Sequence, residues 1–570
     1  MNKIWQLASK IDNNFQEKFP EINPIILQLL VNRGLKTQEQ IDEFLLPDYS
    51  QDLYDPFLFQ DMKRVSERIL SAIENQEKIV VYGDYDADGV TAATLLLSTL
   101  KYLGAQFVDV YLPDRELEGY GLKEAVIKII AEKGVKLVIT CDCGITNFKE
   151  AALAKSLGVD LIITDHHLPL EILPDAWAII NPHCEKNYPF KYLAGVGVAF
   201  KVAQALLKQI QNSKFQIQNF NPEAFEKWLL DLVAIGTITD SMPLLNENRV
   251  LVKYGLIVLN KTARLGIRAL IKAAGLELGE LDVKSVAYQL GPRLNAAGRL
   301  DHANTALTLL ISDDKQNAEK IAYGLNDLNY KRQKIVEKYV EQIRNKLGDN
   351  PREKIVVECS KNWSLGIVGL VAGAVQEIYS RPVLILTEKD KEIIGCGRSI
   401  AEFNLVEALK CCEEYLARFG GHAMAAGCSL KDKSFFGDFK KKISALAEEK
   451  LKNVEFKPKI FIEAEVELNK IDWSLIDEIE KFAPFGEGNP YPLFLIPNLV
   501  VENFSLVGQN GNHLKLIVSG GNNMIFFNGQ KEGENVRIGD KIDAIVEVGT
   551  NVWNGNKEIQ LKIIDLRIKS

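Results

Sequence analysis

The chain has no apolar run approaching the roughly 18 residues of a membrane span. Its amino terminus, M-N-K-I-W-Q-L-A-S-K-I-D-N-N, has neither a long apolar core nor a small-residue cleavage site. The expectation is therefore a cytoplasmic protein. Cysteine is sparse, eight in 570 residues, and Cys141-x-Cys143 and Cys411-Cys412 lack a second C-x-x-C partner. That disfavours both a disulfide framework and a structural zinc site, and suggests reduced, mostly buried thiols. No G-x-S-x-G elbow and no Walker A loop occur, so acyl transfer and NTP-driven motors are disfavoured. Basic charge is not in excess either. With 68 basic and 76 acidic residues the net charge is −8, which weighs mildly against a nucleic-acid enzyme but does not constrain a local groove.

What is present is an ordinary globular composition, 47% apolar and 25% charged. The length exceeds what one core supports and suggests three or four domains. The organising stretch is V-V-Y-G-D-Y-D-A-D-G-V-T (80–91). An apolar, β-branched run at 78–82 reads as a buried strand, and 91–103 reads as a helix. Between them stand Asp84, Asp86 and Asp88. A turn that caps the following helix needs one such carboxylate. Three so close repel one another and raise each other's pKa unless a cation neutralises them.

Downstream, strands expected near 107–112, 137–141 and 160–164 alternate with helices near 122–132 and 147–157. That alternation predicts an α/β, doubly wound parallel sheet, in which ligands sit at the carboxyl ends of the strands. The second of these strands ends at Asp142-Cys143-Gly144 and the third at Asp165-His166-His167. An apolar helix from 228 runs into Asp240. Three separated polar clusters on one predicted edge point to a metal centre. Carboxylate and imidazole donors suit Mn²⁺, Mg²⁺ or Fe²⁺, and there are enough for two ions. Two ions about 3.5–4 Å apart are the usual device for phosphoester hydrolysis.

At D-Y-D-A-D-G, D-C-G, D-H-H and T-I-T-D-S the chain resembles the DHH phosphoesterase superfamily. Within it, L-G-P-R-L-N-A-A-G-R-L (290–300), F-G-G-H-A-M-A-A-G (419–427) and F-A-P-F-G-E-G-N-P (482–490) make it similar to the bacterial single-strand-specific DNA exonucleases, from about residue 50 to the end. The resemblance implies metal-binding positions at Asp84, Asp86, Asp88, Asp142, His166 and Asp240. Asp142 would bridge two divalent cations, Mn²⁺ or Mg²⁺. His167 would meet the scissile phosphate or the leaving oxygen, and Asp142, His166 and His167 would carry the catalysis. Tyr82 stands where the wider superfamily often has His, so one ion would have fewer protein ligands. Arg115, Asn295, Arg299, Arg398, Ser399 and His422 would contact the substrate, with the arginines on its phosphates. Cys396 and Ser364 depart from the family's usual Ser and His.

The remaining expectations are architectural. Residues 1–50 read as a peripheral helical segment, 51–312 as the DHH catalytic domain and 313–350 as a long connecting helix. Residues 351–456 read as the DHH-associated domain and 457–570 as an OB-fold β-barrel. Lys331, Arg332 and Lys334 decorate the middle of the connecting helix, as a solvated face or a DNA-facing groove. Within 351–456 stand two glycine-rich runs, G-C-G-R-S and G-G-H-A-M-A-A-G, of which the latter reads as a backbone-exposing loop. Phe526, Phe527, Trp553 and Lys557 are candidates for contacts with single strands, although most of these aromatics read rather as core. His183, His302 and His513 receive no role. The implied activity is a 5′→3′ exonuclease on single-stranded DNA, releasing 5′-mononucleotides in repair and recombination. A RecQ-type helicase and a single-strand-binding protein would be partners, and the default state is a monomer. The rivals are a nano-RNA or cyclic-dinucleotide phosphodiesterase and a non-catalytic DNA-binding scaffold.

Overall fold

The computed structural model describes residues 3–211, 221–389, 392–553 and 556–569. The chain divides into two compact units. Tyr54–Met242 and Leu251–Lys457 form one; Met1–Leu53, Pro243–Val250 and Pro458–Ser570 form the other.

In the larger unit, the apolar run becomes strand β1 (Ile79–Gly83), buried at every position. Helix α1 (Ala87–Tyr102) starts four residues before the expected Thr91, because Asp86 caps it by accepting the Asp88 and Gly89 amides. Then follow β2 (Val108–Tyr111), α2 (Glu124–Glu132), β3 (Leu137–Cys141), α3 (Phe148–Ser156), β4 (Asp160–Thr164) and the unanticipated β5 (Ala178–Ile180). All five strands are parallel, in the order β2-β1-β3-β4-β5. The strands that end at the three polar motifs are therefore adjacent.

Helices α4 (Gly195–Gln211) and α5 (Leu230–Thr239) pack with α1. Residues 230–238 of α5 are all buried, which explains the unbroken apolar run, and Asp240 is its C-cap. Gly236 makes the close approach possible. A Cβ there would lie 2.5 Å from Thr91 Oγ1 and 2.7 Å from Asp88 Oδ1. Gly236→Ala is expected to destabilise the fold by about 1–3 kcal/mol through overpacking, seen as a lower urea midpoint at unchanged m-value.

Helix α6 (Gly291–Leu300) precedes α7 (Lys315–Leu347), 33 residues capped by Asp314 and about 50 Å long at 1.5 Å per residue. Ile335, Tyr339, Ile343 and Leu347 seat its second half in the core around α8 (Leu365–Tyr379). That core belongs to a second sheet made of β6 (Val356–Cys359), β7 (Val383–Lys389), β8 (Glu392–Arg398), β9 (Leu416–Gly421) and β10 (Ala425–Leu430), ordered β9-β10-β8-β7-β6. Here one glycine-rich run differs from expectation. G-G-H-A-M-A-A-G is not a loop: F-G-G-H-A-M-A-A-G forms the β9–β10 hairpin with His422 at its turn, and G-C-G-R ends the neighbouring β8. Gly395 and Gly397 let β8 lie against β7, since a Cβ at Gly395 would meet the Ile385 carbonyl at 2.1 Å.

In the smaller unit, β11 (Leu493–Val507), β12 (His513–Val518), β13 (Asn522–Phe526), β14 (Lys541–Trp553) and β15 (Asn556–Ile568) pair in the order β11–β12–β13–β15–β14, and β14 pairs back to β11. The pairing closes into a barrel. Strand β11 has no counterpart in the sequence reading because Pro497 interrupts it, at the point where its register against β14 shifts. Phe526 packs on the barrel core, whereas Phe527 is exposed edge-on to His513. Lys557 lies over the Trp473 ring, and the Trp553 side chain lies outside the described residues.

The first 50 residues are neither all helical nor peripheral. Ile4–Leu7 is a strand paired in parallel with Lys459–Ile462. The helix Pro24–Asn32 buries Ile26, Leu27, Leu29 and Leu30 in one core with Phe494, Leu514 and Val546. Arg249, fully buried, donates to the carbonyls of Phe44, Lys481 and Phe482 and so ties three stretches of this unit together.

Candidate metal centre

The carboxyl ends of β1, β3 and β4 and the end of α5 deliver Asp84, Asp86, Asp88, Asp142, His166, His167 and Asp240 to one place. Their ligand atoms form three overlapping groups: Asp84 with Asp86 and Asp142; Asp88 with His166 and Asp240; and Asp142 with His166 and His167. Within each, all atoms lie within 4.8 Å of one another. His166 Nε2 stands 3.1 Å from Asp142 Oδ1, 3.5 Å from Asp240 Oδ2 and 4.0 Å from Asp88 Oδ2. Asp142 and His166 each belong to two groups; of the two, only the Asp142 carboxylate has a second oxygen to offer a second cation.

The residues fit divalent cations by a direct criterion. Buried polar atoms almost always have partners, yet Asp84 Oδ1, Asp142 Oδ1, His166 Nε2 and Asp240 Oδ2 are buried and have none. These four atoms face one another across the centre.

Local backbone geometry sets the ligands in place. Asp142 adopts φ +62, a left-handed conformation that Asp and Asn tolerate best among non-glycine residues. Gly195 lies against it, where a Cβ would stand 2.5 Å from that of Asp142. Asp88 accepts the Gly195 and Val196 amides at 2.6 and 2.8 Å, at the amino terminus of α4, where backbone dipoles favour negative charge. One oxygen of Asp86 caps α1.

Burial first, and then the charge of Asp86, push Asp88 up to about 7 and Asp84 well above the carboxylate range. Burial and neighbouring carboxylates also raise Asp142 and Asp240. His166 is pushed down to about 3 by burial and by His167, and so offers a neutral nitrogen as a ligand. The folded, metal-free centre thus holds protons that the unfolded chain releases near pH 3.8. Its contribution to stability is full below that pH and is lost as pH rises through about 7. In chelator the melting temperature is expected to fall over this window. With Mn²⁺ it should hold or rise, because cation binding needs the ionised carboxylates.

His167 behaves oppositely. Burial alone would lower it, but the Asp165 carboxylate, 2.8 Å from Nδ1, raises it to about 9. At neutral pH it is an imidazolium whose Nε2 is left for substrate. Asp165 also accepts the amides of Ile145, His166 and His167. The Tyr120 hydroxyl donates to the Asp142 carbonyl and lies 3.1 Å from His167 Nδ1. Asp165, Tyr120 and Gly195 received no role from the sequence. Only Asp165, inside D-H-H, offered a signal.

The substrate candidates divide. Arg115 and Arg299 line one cleft of ≈ 430 Å³ with Ser364 and His302. Arg115 lies over the Tyr85 ring, and Arg299 donates to the Gly366 carbonyl. Asn295 accepts the Ala87 amide at the start of α1 and so buttresses the aspartate loop. On the second sheet, the Ser399 hydroxyl donates to the Phe403 carbonyl and Arg398 to its neighbour Gly397. His422 acts on His183, whose pKa is lowered by burial, Lys191 and His422. None of these six joins a ligand group.

Three family models match in succession: DHH family, N-terminal domain, at 78–237; DHHA1 domain at 352–449; and RecJ OB domain at 462–565. The single-stranded-DNA-specific exonuclease RecJ of Bacillus subtilis is 40% identical over 96% of this chain and 68% of its own length. That of Haemophilus influenzae is 30% identical over 95% and 96%. Among solved structures, RecJ of Thermus thermophilus in complex with Mn²⁺ is similar at a TM-score of 0.83 and 28% identity, covering 100% of this chain and 80% of that one. A Mg²⁺ complex of the same protein is also similar, at 0.77 and 26%, covering 100% and 79%. With one buried set of unpartnered metal-ligand atoms, three domain matches in order and likeness along nearly its full length, the chain belongs to the RecJ family.

Proposed function

We propose that this chain digests single-stranded DNA from the 5′ end, hydrolysing phosphodiester bonds to 5′-mononucleotides at the centre built from Asp84, Asp86, Asp88, Asp142, His166 and Asp240. The observation that carries the reading is the set of buried, partnerless oxygens and nitrogen that converge there. Those residues would hold two divalent cations, Mn²⁺ or Mg²⁺, which when bound would supply a water of lowered pKa and positive charge beside the phosphoryl oxygens. The chain's own groups do the rest. Asp142, held in its left-handed conformation, presents a carboxylate to both sides of the centre. His167, charged through Asp165, meets the scissile phosphate or the leaving oxygen. Arg115 and Arg299 hold the 5′-terminal phosphate in their cleft, with Arg398 and His422 of the second sheet as further contacts and Ser399, engaged by the Phe403 carbonyl, shaping the strand end beside them. Asn295 contributes by holding the aspartate loop.

The same reading places the protein in the cytoplasm as a monomer, with a RecQ-type helicase and a single-strand-binding protein as partners. No helix among the described residues is long and apolar enough to cross a membrane.

The deciding experiment digests 5′-phosphorylated single-stranded oligodeoxynucleotides, labelled at either end, with Mn²⁺ or Mg²⁺. Mononucleotides should appear at once from the 5′ end, and duplex should resist. Release from the 3′ end first, or cleavage confined to RNA of two to five nucleotides, would overturn the reading.

A further inference from the structure

Two arginines, Arg115 and Arg299, line the cleft together with Asp114, Glu116 and Asp301, and two more, Arg293 and Arg332, stand on the helix that carries Arg299 and on the helix packed against it. Arg115 stacks on Tyr85, and Arg299 donates to the Gly366 carbonyl. Arg293 donates to the Gln289 carbonyl and the Asn326 side chain. The Nε of Arg332 is buried without a partner. Every one of these contacts is neutral, and among the described residues none of the four forms an ion pair. Arg293 and Arg299 lie on α6, six residues and so about 9 Å apart along its axis. Arg332 comes from α7, which packs on α6.

The groups act on one another in sequence. Burial, then Arg115 and Arg332, pushes Arg299 down to about 9; burial and then Arg293 lowers Arg332; burial lowers Arg293. Asp86 of the metal centre acts on Arg299. Arg299 lines the cleft, Arg293 stands on the same helix, and Arg332 stands on the helix packed against it. Burying like charges without a counter-charge is costly, and an oxyanion removes that cost. The neighbouring lysines behave differently: Lys334 pairs with Glu337 on an exposed face, and Lys331 is exposed. Only Arg332 of that basic stretch faces inward.

We propose that Arg293 and Arg332 form a second phosphoryl-binding subsite, contiguous with the Arg115–Arg299 cleft. The inference rests on the exonuclease reading and extends it. The ligand chemistry is a phosphate of the bound strand. It comes either from the backbone beyond the scissile bond or from an extra phosphoryl group on a polyphosphorylated 5′ end.

Binding in chelator, which prevents cleavage, separates these. Fluorescence anisotropy would compare a 5′-phosphorylated dodecanucleotide, its 5′-triphosphorylated form and a 5′-phosphorylated dinucleotide across a salt series. Arg332→Gln and Arg293→Gln are each expected to weaken binding and to flatten the slope of log affinity against log salt by about 0.7, the value for one lost phosphate contact on a single strand. Arg332→Lys should retain most of the slope, and melting curves check that the variants remain folded. Loss on both dodecanucleotides but not the dinucleotide assigns the backbone; loss confined to the triphosphorylated end assigns the terminus. Unchanged slopes on all three ligands would overturn the subsite. Equal loss on all three, dinucleotide included, would do so too, by merging Arg332 with the terminal-phosphate cleft. Wild-type protein that neither binds nor digests single strands would strike the exonuclease reading itself. Wild-type digestion with indifferent variants removes only the subsite.

Discussion

Asp142→Asn is expected to lower DNA hydrolysis by about a thousandfold or more, while the metal-free protein melts no lower than the parent. Both halves follow from one placement. Asp142 belongs to two of the three ligand groups, so its loss removes a donor from both sides of the centre at once. Its carboxyl is also raised well above the usual range by burial and by Asp88, Asp86, Asp84 and Asp240, and a neutral amide relieves that repulsion. Asn is the right replacement because the backbone stands at φ +62, which Asn tolerates and Ala resists at a cost of roughly 1–2 kcal/mol. Calorimetry in chelator and in Mn²⁺ checks it. Parent protein should gain melting temperature with Mn²⁺, and the variant should gain little. A variant that still gains the full increment and still digests DNA would remove Asp142 from the centre.

Asp165→Asn should produce the second large loss, about a hundredfold in kcat, with a different signature. Asp165 is fully buried and touches no ligand atom other than through its histidines. It holds His167 charged up to about pH 9. A group with a raised folded pKa keeps its proton below that value and loses it as pH climbs through it. The parent should therefore lose activity on an alkaline limb near pH 9, and the variant's limb should move toward neutrality. His167→Ala should abolish the limb. A variant with lower activity but an unmoved limb would make Asp165 a packing residue only.

Much of the centre was legible because its ligands come in short runs at strand ends. Asp84, Asp86 and Asp88 alternate along one short strand-to-helix junction, and the all-parallel sheet brings β1, β3 and β4 side by side. The same local logic found α7 to within two residues at its start. What escaped depends on how the chain folds back on itself. Nothing in the isolated string tells that the Ser399 hydroxyl is engaged by the nearby Phe403 carbonyl, or that Asn295 serves the distant Ala87 amide. The run G-G-H-A-M-A-A-G reads as a loop because small residues suit both turns and closely packed strands. Only its pairing within the sheet, β9 with β10 and β10 with β8, distinguishes them. The opening 50 residues looked peripheral for a related reason: their apolar helix face carries no mark of what it will cover.

That last feature bears on how the molecule comes into being on the ribosome. Ile4 pairs with Lys459, and helix Pro24–Asn32 shares its core with strands beyond residue 490. At roughly 5–20 residues per second, synthesis leaves this opening segment without its partners for some tens of seconds. Tyr54–Met242, by contrast, emerges with its parallel sheet complete. The two ends of the polypeptide accordingly share one fate. Clipping the first strand and helix should unravel the body that contains the barrel, and nascent chains stalled before residue 458 should present Ile26, Leu27, Leu29 and Leu30 to whatever chaperone waits at the exit tunnel.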